Sequence, residues 1–253
     1  MRARDTIPVQ LSLAIRSFTR PYSVSVYMVA LMALVPVYLF IARDAAAGLV
    51  HRPEIWLDRA LALEPVWALV YGALYLFLIV LPVFVVRERE HIRRTFLAYL
   101  AVWITAYVIF MVYPTVAPRP DKVIGKGFAK WGLRFLYEAD PPYNCFPSLH
   151  VAHSFVSALT CYPVHRRVGI FATLAAAVVA ISTLLTKQHY VLDVVAGVAL
   201  AFVAYWVILR TYRRETIPAR DRHIAPALAL GSLALSAIAI AGYWLAYAVA
   251  GDS

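Results

Sequence analysis

Charge is scarce in this chain. Only 15% of its 253 residues are charged and 62% are hydrophobic, where a soluble domain carries about a quarter charged and half apolar. The apolar residues also fall in blocks of about 18 or more, the length a membrane span needs. Together these features exclude an ordinary water-soluble domain. Cysteine is scarcer still, with only Cys145 and Cys161. The helix between them would hold the pair about 24 Å apart, against a limit of about 7 Å for a disulfide. They are expected not to pair with each other, and they leave the redox compartment open. The first 23 residues carry Arg2, Arg4, Arg16 and Arg20 and lack an unbroken apolar core with a small-residue cleavage site, so no cleavable leader is expected. No internal repeat, low-complexity tract or second soluble domain is visible. Net charge is +10. In a soluble protein that would raise nucleic acid as a partner. Here the cations crowd short loops between apolar blocks, and no nucleic-acid partner is expected.

What remains reads as an all-α polytopic membrane helix bundle, a single membrane domain over 1–253. Spans are expected at about 24–42, 65–86, 95–113, 147–163, 168–186, 189–209 and 225–249. Pro65 suits a first helical position. With the N-terminus inside, the inner segments hold 15 of the 24 basic residues and the outer ones nine. That bias favours N-inside and C-outside. Two outer loops are long. Residues 43–64 include an amphipathic stretch, Glu54 to Glu64, expected as an interfacial helix. In residues 114–146, Lys122, Lys126, Lys130 and Arg134 recur every fourth position, on one side of a helix. Phe128, Trp131 and Phe135 lie toward the other side. Such a helix would float at the headgroup level and attract anionic lipid, and the same pattern suits an interfacial anchor with no substrate role. Gly125, Gly127 and Gly132 weaken it.

Three polar clusters interrupt the apolar pattern: Pro118-Arg119-Pro120, Phe146-Pro147-Ser148-Leu149-His150, and Lys187 to Asp193. Ionisable residues at a span margin are expensive and mark function. The topology puts all three clusters on one face. His189 and Asp193 are four apart on an expected helix, so they stack, and the carboxylate can orient the imidazole. The same spacing also suits an ion pair that only locks helices. Ser148 suits an N-cap, and the free amides after it make an anion site. His150 follows within the first turn, in place to donate a proton. His153 lies one turn further in, as a core histidine or a second-layer support. Arg119 between two prolines has a stiffened backbone and suits a bidentate grip on phosphate.

These residues resemble the type-2 phosphatidate phosphatase superfamily. Ser182, His189 and Asp193 match its third motif, with Thr183 at the arginine position. Arg119-Pro120 match its first, with Val112 at the lysine position. Pro147-Ser148-Leu149-His150 is similar to its second, with Leu149 for glycine. The form Phe-Pro-Ser-Leu-His with Gln-His-Tyr-x-x-Asp is more similar to the branch of inositol-phosphorylceramide synthase, an inositolphosphotransferase. The resemblance covers about 95–210, a catalytic core, and implies a six-helix family core with one extra C-terminal span. It implies that His189 attacks phosphorus, Asp193 orients it, His150 protonates the leaving alkoxide, and Arg119 and Ser148 hold phosphoryl oxygens. It implies no metal and no cofactor.

Two family cations are missing, at Val112 and Thr183. A phosphomonoester carries nearly two negative charges and a diester one, so the deficit leans toward transfer of a phospho-headgroup between lipids. Lys187 is a candidate to replace one lost charge in substrate binding. The expected partners are the bilayer, a phospholipid or lipid-phosphate substrate, and a lipid alcohol acceptor such as ceramide or diacylglycerol. The expected location is the plasma (inner) membrane, with the site on the extracytoplasmic face. Four alternatives stay open: a lipid phosphomonoester phosphatase of phosphatidate or polyprenyl-phosphate type, a proton-coupled lipid transporter, a metal site from His150, His153, His189 and Asp193, and a structural protein with a decayed site.

Overall fold

A computed structural model describes residues 24–250. The segment with Arg2, Arg4, Arg16 and Arg20 lies outside the described residues. The chain is an all-α membrane bundle, and the described residues hold six helical stretches long and apolar enough to cross a bilayer, the first of them, Tyr27–Ala47, made of two consecutive helices. In chain order the helices are α1 (Val24–Met32), α2 (Val35–Ala47), α3 (Trp56–Ala60), α4 (Trp67–Val85), α5 (Arg89–Val112), α6 (Phe128–Ala139), α7 (Leu149–Cys161), α8 (Arg166–Leu185), α9 (Val191–Ala204) and α10 (Ala219–Ala250). A π-helical turn, Tyr205–Leu209, continues α9, and a 3-10 turn, Arg214–Thr216, precedes α10.

Several boundaries differ from the sequence reading, each for a local reason. The first expected span is two helices, because Pro36 sits in the opening turn of α2 and cannot extend the α1 hydrogen-bond ladder. α5 starts six residues early. Glu88 caps it by accepting from the His91 amide at 2.8 Å, and Glu90 pairs with Arg93 and Arg94 one turn on. α10 likewise starts early and takes Arg220 and Arg222 into its first turns. The ion pair Arg87–Asp221, 3.2 Å and nearly buried, ties that turn to the end of α4.

The two outer loops depart further. Of the expected interfacial helix only α3 forms. Its Asp58 is buried and docks on the bundle. The cation stripe is not one helix either. Gly125 and Gly127 take positive φ of 101° and 110°, the left-handed region glycine tolerates. Lys122 and Lys126 therefore precede α6, and only Lys130 and Arg134 ride on it. Phe128, Trp131 and Phe135 do not face lipid as a free anchor. They pack on Tyr243 and Tyr247 of α10, with ring centroids 4.6 to 6.0 Å apart.

α7 is the centre of the bundle. With 13 residues it is about 20 Å long, short of the about 30 Å hydrocarbon core. It is surrounded by α4, α5, α8 and α9, and Val151, Ala152, Val156, Ala158 and Cys161 are fully buried or nearly so. Its hydroxyls are absorbed internally. Ser154 and Ser157 donate to carbonyls four residues back, and Thr160 meets Thr95 and His91 from α5. The site forms at the N-terminus of this short, enclosed helix. Both cysteines are free and buried.

α9 approaches α7 so closely that a Cβ on Gly197 would lie 2.5 Å from the Ser148 carbonyl oxygen. Backbone cannot yield as a side-chain tip does. Gly197→Ala is therefore expected to cost about 1–3 kcal/mol, read as a drop in melting temperature in detergent. An unchanged melting temperature would show that the two helices are free to separate.

Candidate active site

The site is built where three chain segments end. Ser148 caps α7, its Oγ accepting from the Val151 amide at 3.3 Å. The Ser148 amide donates to the Asp193 carbonyl at 3.0 Å. This one bond sets the start of α7 against the first turn of α9. The stretch before Ser148 is pinned by Thr115, whose hydroxyl accepts from the amides of Cys145 and Phe146 at 2.9 and 3.0 Å. The stretch before α9 folds back on the end of α8, where the Thr183 carbonyl accepts from the amides of both Gln188 and His189. Lys187 takes φ 54° to allow that turn.

The result is a histidine pair. His189 is 5% exposed and lies just before α9 rather than on it. Its Nδ1 faces the Cys145 carbonyl at 3.1 Å and Asp193 Oδ2 at 3.4 Å. Both are acceptors, so the proton sits on Nδ1 and the Nε2 lone pair faces the cavity. The shorter contact is the carbonyl, a partner that no side chain in the motif signals. Asp193 is fully buried. Its Oδ2 also accepts from the Tyr190 amide at 2.8 Å, while Oδ1 has no hydrogen-bond partner. His150 completes the pair, with Nδ1 3.2 Å from His189 Nε2. The edges of Tyr71 and Tyr75 hold the His150 ring from behind.

His150, His189 and Arg119 line one cavity of about 120 Å³. Arg119 reaches it from the loop after α5. Its guanidinium donates to the carbonyls of Asp140 and Tyr137 at 2.7 and 3.2 Å. It lies 3.5 Å from the Asp140 carboxylate and rests on the Tyr137 ring at 4.6 Å. Burial pushes the Tyr137 hydroxyl up to about 12, so it stays a donor, and it bonds the Thr186 carbonyl at 2.6 Å. Asp140 is a second cavity residue, fixed by the Tyr38 hydroxyl at 2.8 Å. Asn144 and Gln188 also line it. Asn144 stands at φ 63°, a region asparagine tolerates better than most residues. Asp140 and Asn144 lie in a loop with no periodicity to flag them. Gln188 was visible only as part of a histidine motif.

Three expected site residues are placed differently from the sequence reading. Ser148 is fully buried and does not line the cavity. It serves as cap and strut, and the cavity-side amides of that turn belong to the residues after it. Lys187 is not brought to the cavity. Its ammonium donates to the carbonyls of Asp58 and Leu61 at 2.9 and 2.7 Å. The same Asp58 accepts from the Val191 amide at 2.8 Å, so the Asp58–Lys187 pairing secures the start of α9. His153 lies between α4 and α5, stacked on Tyr99 at 4.3 Å, with Nδ1 unpartnered. It is not a satisfied core histidine. The two missing cations stay missing. Val112 is 75% exposed at the end of α5, and the buried Thr183 hydroxyl turns back to the Ala180 carbonyl.

One group has the donors for a metal ion. Cys145 Sγ, a nitrogen of His189 and an oxygen of Asp193 lie within 4.8 Å of one another. Burial pushes the Cys145 thiol well above its ordinary pKa, and the thiol leans on the Pro142 carbonyl. The trio's atoms are engaged within the protein: Cys145 Sγ with the Pro142 carbonyl, His189 Nδ1 with the Cys145 carbonyl, and Asp193 Oδ2 with the Tyr190 amide.

Comparison with known proteins agrees with the motifs. A family model described as the PAP2 superfamily matches residues 38–207. A PA-phosphatase related-family protein of Dictyostelium discoideum is 30% identical over 114 residues. That match covers 39% of this chain and 21% of the relative, so the chain spans about a fifth of the relative's length. No solved structure matches the chain.

Asp58 was read only as part of an amphipathic stretch, yet its carboxylate caps both α3 and α9. Asp58→Ala leaves two amides without acceptors and is expected to cost about 2 kcal/mol of stability. Thermal unfolding in detergent measures it. An effect as small as that of a surface substitution, under about 0.5 kcal/mol, would remove Asp58 from the scaffold.

Proposed function

We propose, since this chain belongs to the PAP2 superfamily, that it is a membrane-embedded lipid phosphotransferase working through a phosphohistidine. It moves a phospho-headgroup from a phospholipid to a lipid alcohol. The observation that carries this reading is the histidine pair: His189 Nε2 faces the cavity, backed by two acceptors on Nδ1, with His150 3.2 Å away.

The chemistry follows from the placement. The His189 Nε2 lone pair forms a bond to phosphorus. The phosphorus–oxygen bond to the diacylglycerol moiety breaks, and the leaving alkoxide takes a proton from His150. The acceptor alcohol then gives its proton to His150. Its oxygen attacks phosphorus, and the phosphorus–nitrogen bond breaks. Asp193 and the Cys145 carbonyl steady the imidazolium. Arg119 and the amides at the start of α7 receive the phosphoryl oxygens as charge builds. Attack and departure take place on opposite sides of phosphorus, so the two histidine rings must part when substrate enters. No step requires a metal.

Charge favours transfer over monoester hydrolysis. Among the cavity's lining residues the one fixed cation is Arg119, already beside the Asp140 carboxylate. A monoester brings up to two negative charges near neutral pH, and a diester one. Lys187 adds nothing, because its ammonium is held by Asp58 and Leu61 carbonyls. A second, apolar cavity of about 250 Å³ shares Tyr75, Trp103 and His153 with the first, which suits the chain of a lipid substrate. The retained Phe146-to-His150 and Gln188-to-Asp193 forms lean toward the inositol-phosphorylceramide-synthase-like branch. The arginine-rich end would lie in the cytoplasm and the cleft on the extracytoplasmic face of the plasma (inner) membrane.

The test uses purified protein, labelled phospholipids and a lipid alcohol such as ceramide or diacylglycerol, present or absent. Headgroup transfer should require the alcohol and survive a chelator. His189→Ala should abolish it, and His150→Gln and Asp193→Asn should lower it about 10²- to 10⁴-fold. Retained turnover in folded His189→Ala would sink the nucleophile. Phosphate release from phosphatidate without any alcohol would make the protein a phosphatase instead.

A further inference from the structure

The far end of the bundle carries a second polar site that the proposed reaction does not use. A cavity of about 480 Å³ opens between the loop after α7 and the first turns of α10. Among the described residues its lining includes His165, Arg214, Arg222 and His223, and no acid. The acids of this end are engaged elsewhere. Asp221 pairs with Arg87, Glu88 accepts from Tyr212, and Glu90 accepts from Arg93 and Arg94. Glu215 is exposed and does not line the cavity. His165 caps α8 without using its side chain, and its Nδ1 is buried with no hydrogen-bond partner. Burial first, then Arg167 and Arg214, lower the pKa of that imidazole, a sign of the positive field it sits in.

We propose that this cavity holds the phosphate of an anionic phospholipid from the leaflet opposite the catalytic cleft. Two arginines supply the positive charge and two histidines further ring nitrogens around one open cavity, a set of polar partners that suits a phosphate. Basic pockets between helices at the cytoplasmic margin are where lipid headgroups of this charge bind. The choice of a lipid over a soluble phosphate rests on what lies next to the cavity. Arg222, Pro226 and Leu230 are spaced by four and share one face of α10. Leu230 is 68% exposed. On α8, Phe171 and Leu174 stand one to two turns beyond Arg167 and are exposed as well. A headgroup in the cavity would therefore lay its chains along apolar surface already facing the hydrocarbon.

The test is a titration of the full-length protein in detergent, read as melting temperature. The probes are short-chain phosphatidylglycerol, short-chain phosphatidylcholine and sodium phosphate. Ligand binding to the folded state raises the melting temperature by mass action. Phosphatidylglycerol is expected to raise it saturably, phosphatidylcholine not, and phosphate only at far higher concentration. In R214Q/R222Q, whose melting temperature without lipid should match wild type, the apparent affinity for phosphatidylglycerol should fall about 10- to 30-fold. Equal responses to the two lipids in wild type overturn the proposal without any variant. So does an undiminished response in R214Q/R222Q. A saturating response to phosphate at or below the lipid's concentration assigns the cavity to a soluble anion and overturns the lipid.

Discussion

The bond from the Ser148 amide to the Asp193 carbonyl, 3.0 Å long, is the contact on which the rest of the cleft depends. It joins the cap of one helix to the first turn of another. Gly197, one turn further along α9, lets the two backbones come that close. Once they do, His150 stands two residues after one end of the bond and His189 four before the other. The backbone brings the two residues within reach of each other, and their side-chain orientations close the gap to 3.2 Å. The same residue that accepts from Ser148 then turns its carboxylate to the Tyr190 amide and toward His189. A single aspartate thus supports the helix start, the helix pair and His189.

Around that bond the scaffold is made mostly of backbone carbonyls. Those of Cys145, Thr183, Asp58, Leu61, Tyr137 and Asp140 receive the polar hydrogens of the site. There is a physical reason for this. At membrane depth every polar group must find a partner in the protein, and a carbonyl brings no net charge with it. The consequence is a cavity close to neutral, in which Arg119 and Asp140 largely cancel. A more cationic cleft would hold a doubly charged phosphate in the ground state. A neutral one leaves stabilisation to form as the transition state develops.

The bundle was legible because membrane insertion demands long apolar runs, and those survive in any reading of the sequence. The histidines and Asp193 were legible because ionisable groups beside such runs are rare. The failures have a common cause. Lys187 was read as a substrate cation because its position in the chain is two residues from His189, but a tight turn at φ 54° sends its side chain the other way. The stripe of four cations kept helical spacing through two glycines whose left-handed φ breaks the helix. Asp140, Asn144 and the Cys145 carbonyl left no trace, since loops carry no period and a carbonyl carries no sequence. The length of α7 was overread, 147–163 against Leu149–Cys161, because flanking residues such as Tyr162 are themselves apolar.

The closed geometry also constrains how a substrate is admitted. On the proposed reading, two contacts occupy the place a phosphate would take: His150 to His189 at 3.2 Å, and Arg119 to the Asp140 carboxylate at 3.5 Å. Each is a partnership a phosphate would replace, and each replacement exchanges one polar contact for another. Neither exchange is strongly downhill for the phosphate alone, because the displaced partners must be solvated or re-bonded. The drive to open the pair must come from parts of the substrate away from phosphorus, and the apolar cavity behind Tyr75, Trp103 and His153 is placed to supply it. His153 sits on the wall shared by the two cavities, one turn from His150 on the same helix. On that reading, burying the substrate's chain in the apolar cavity would supply the drive that parts the two histidines.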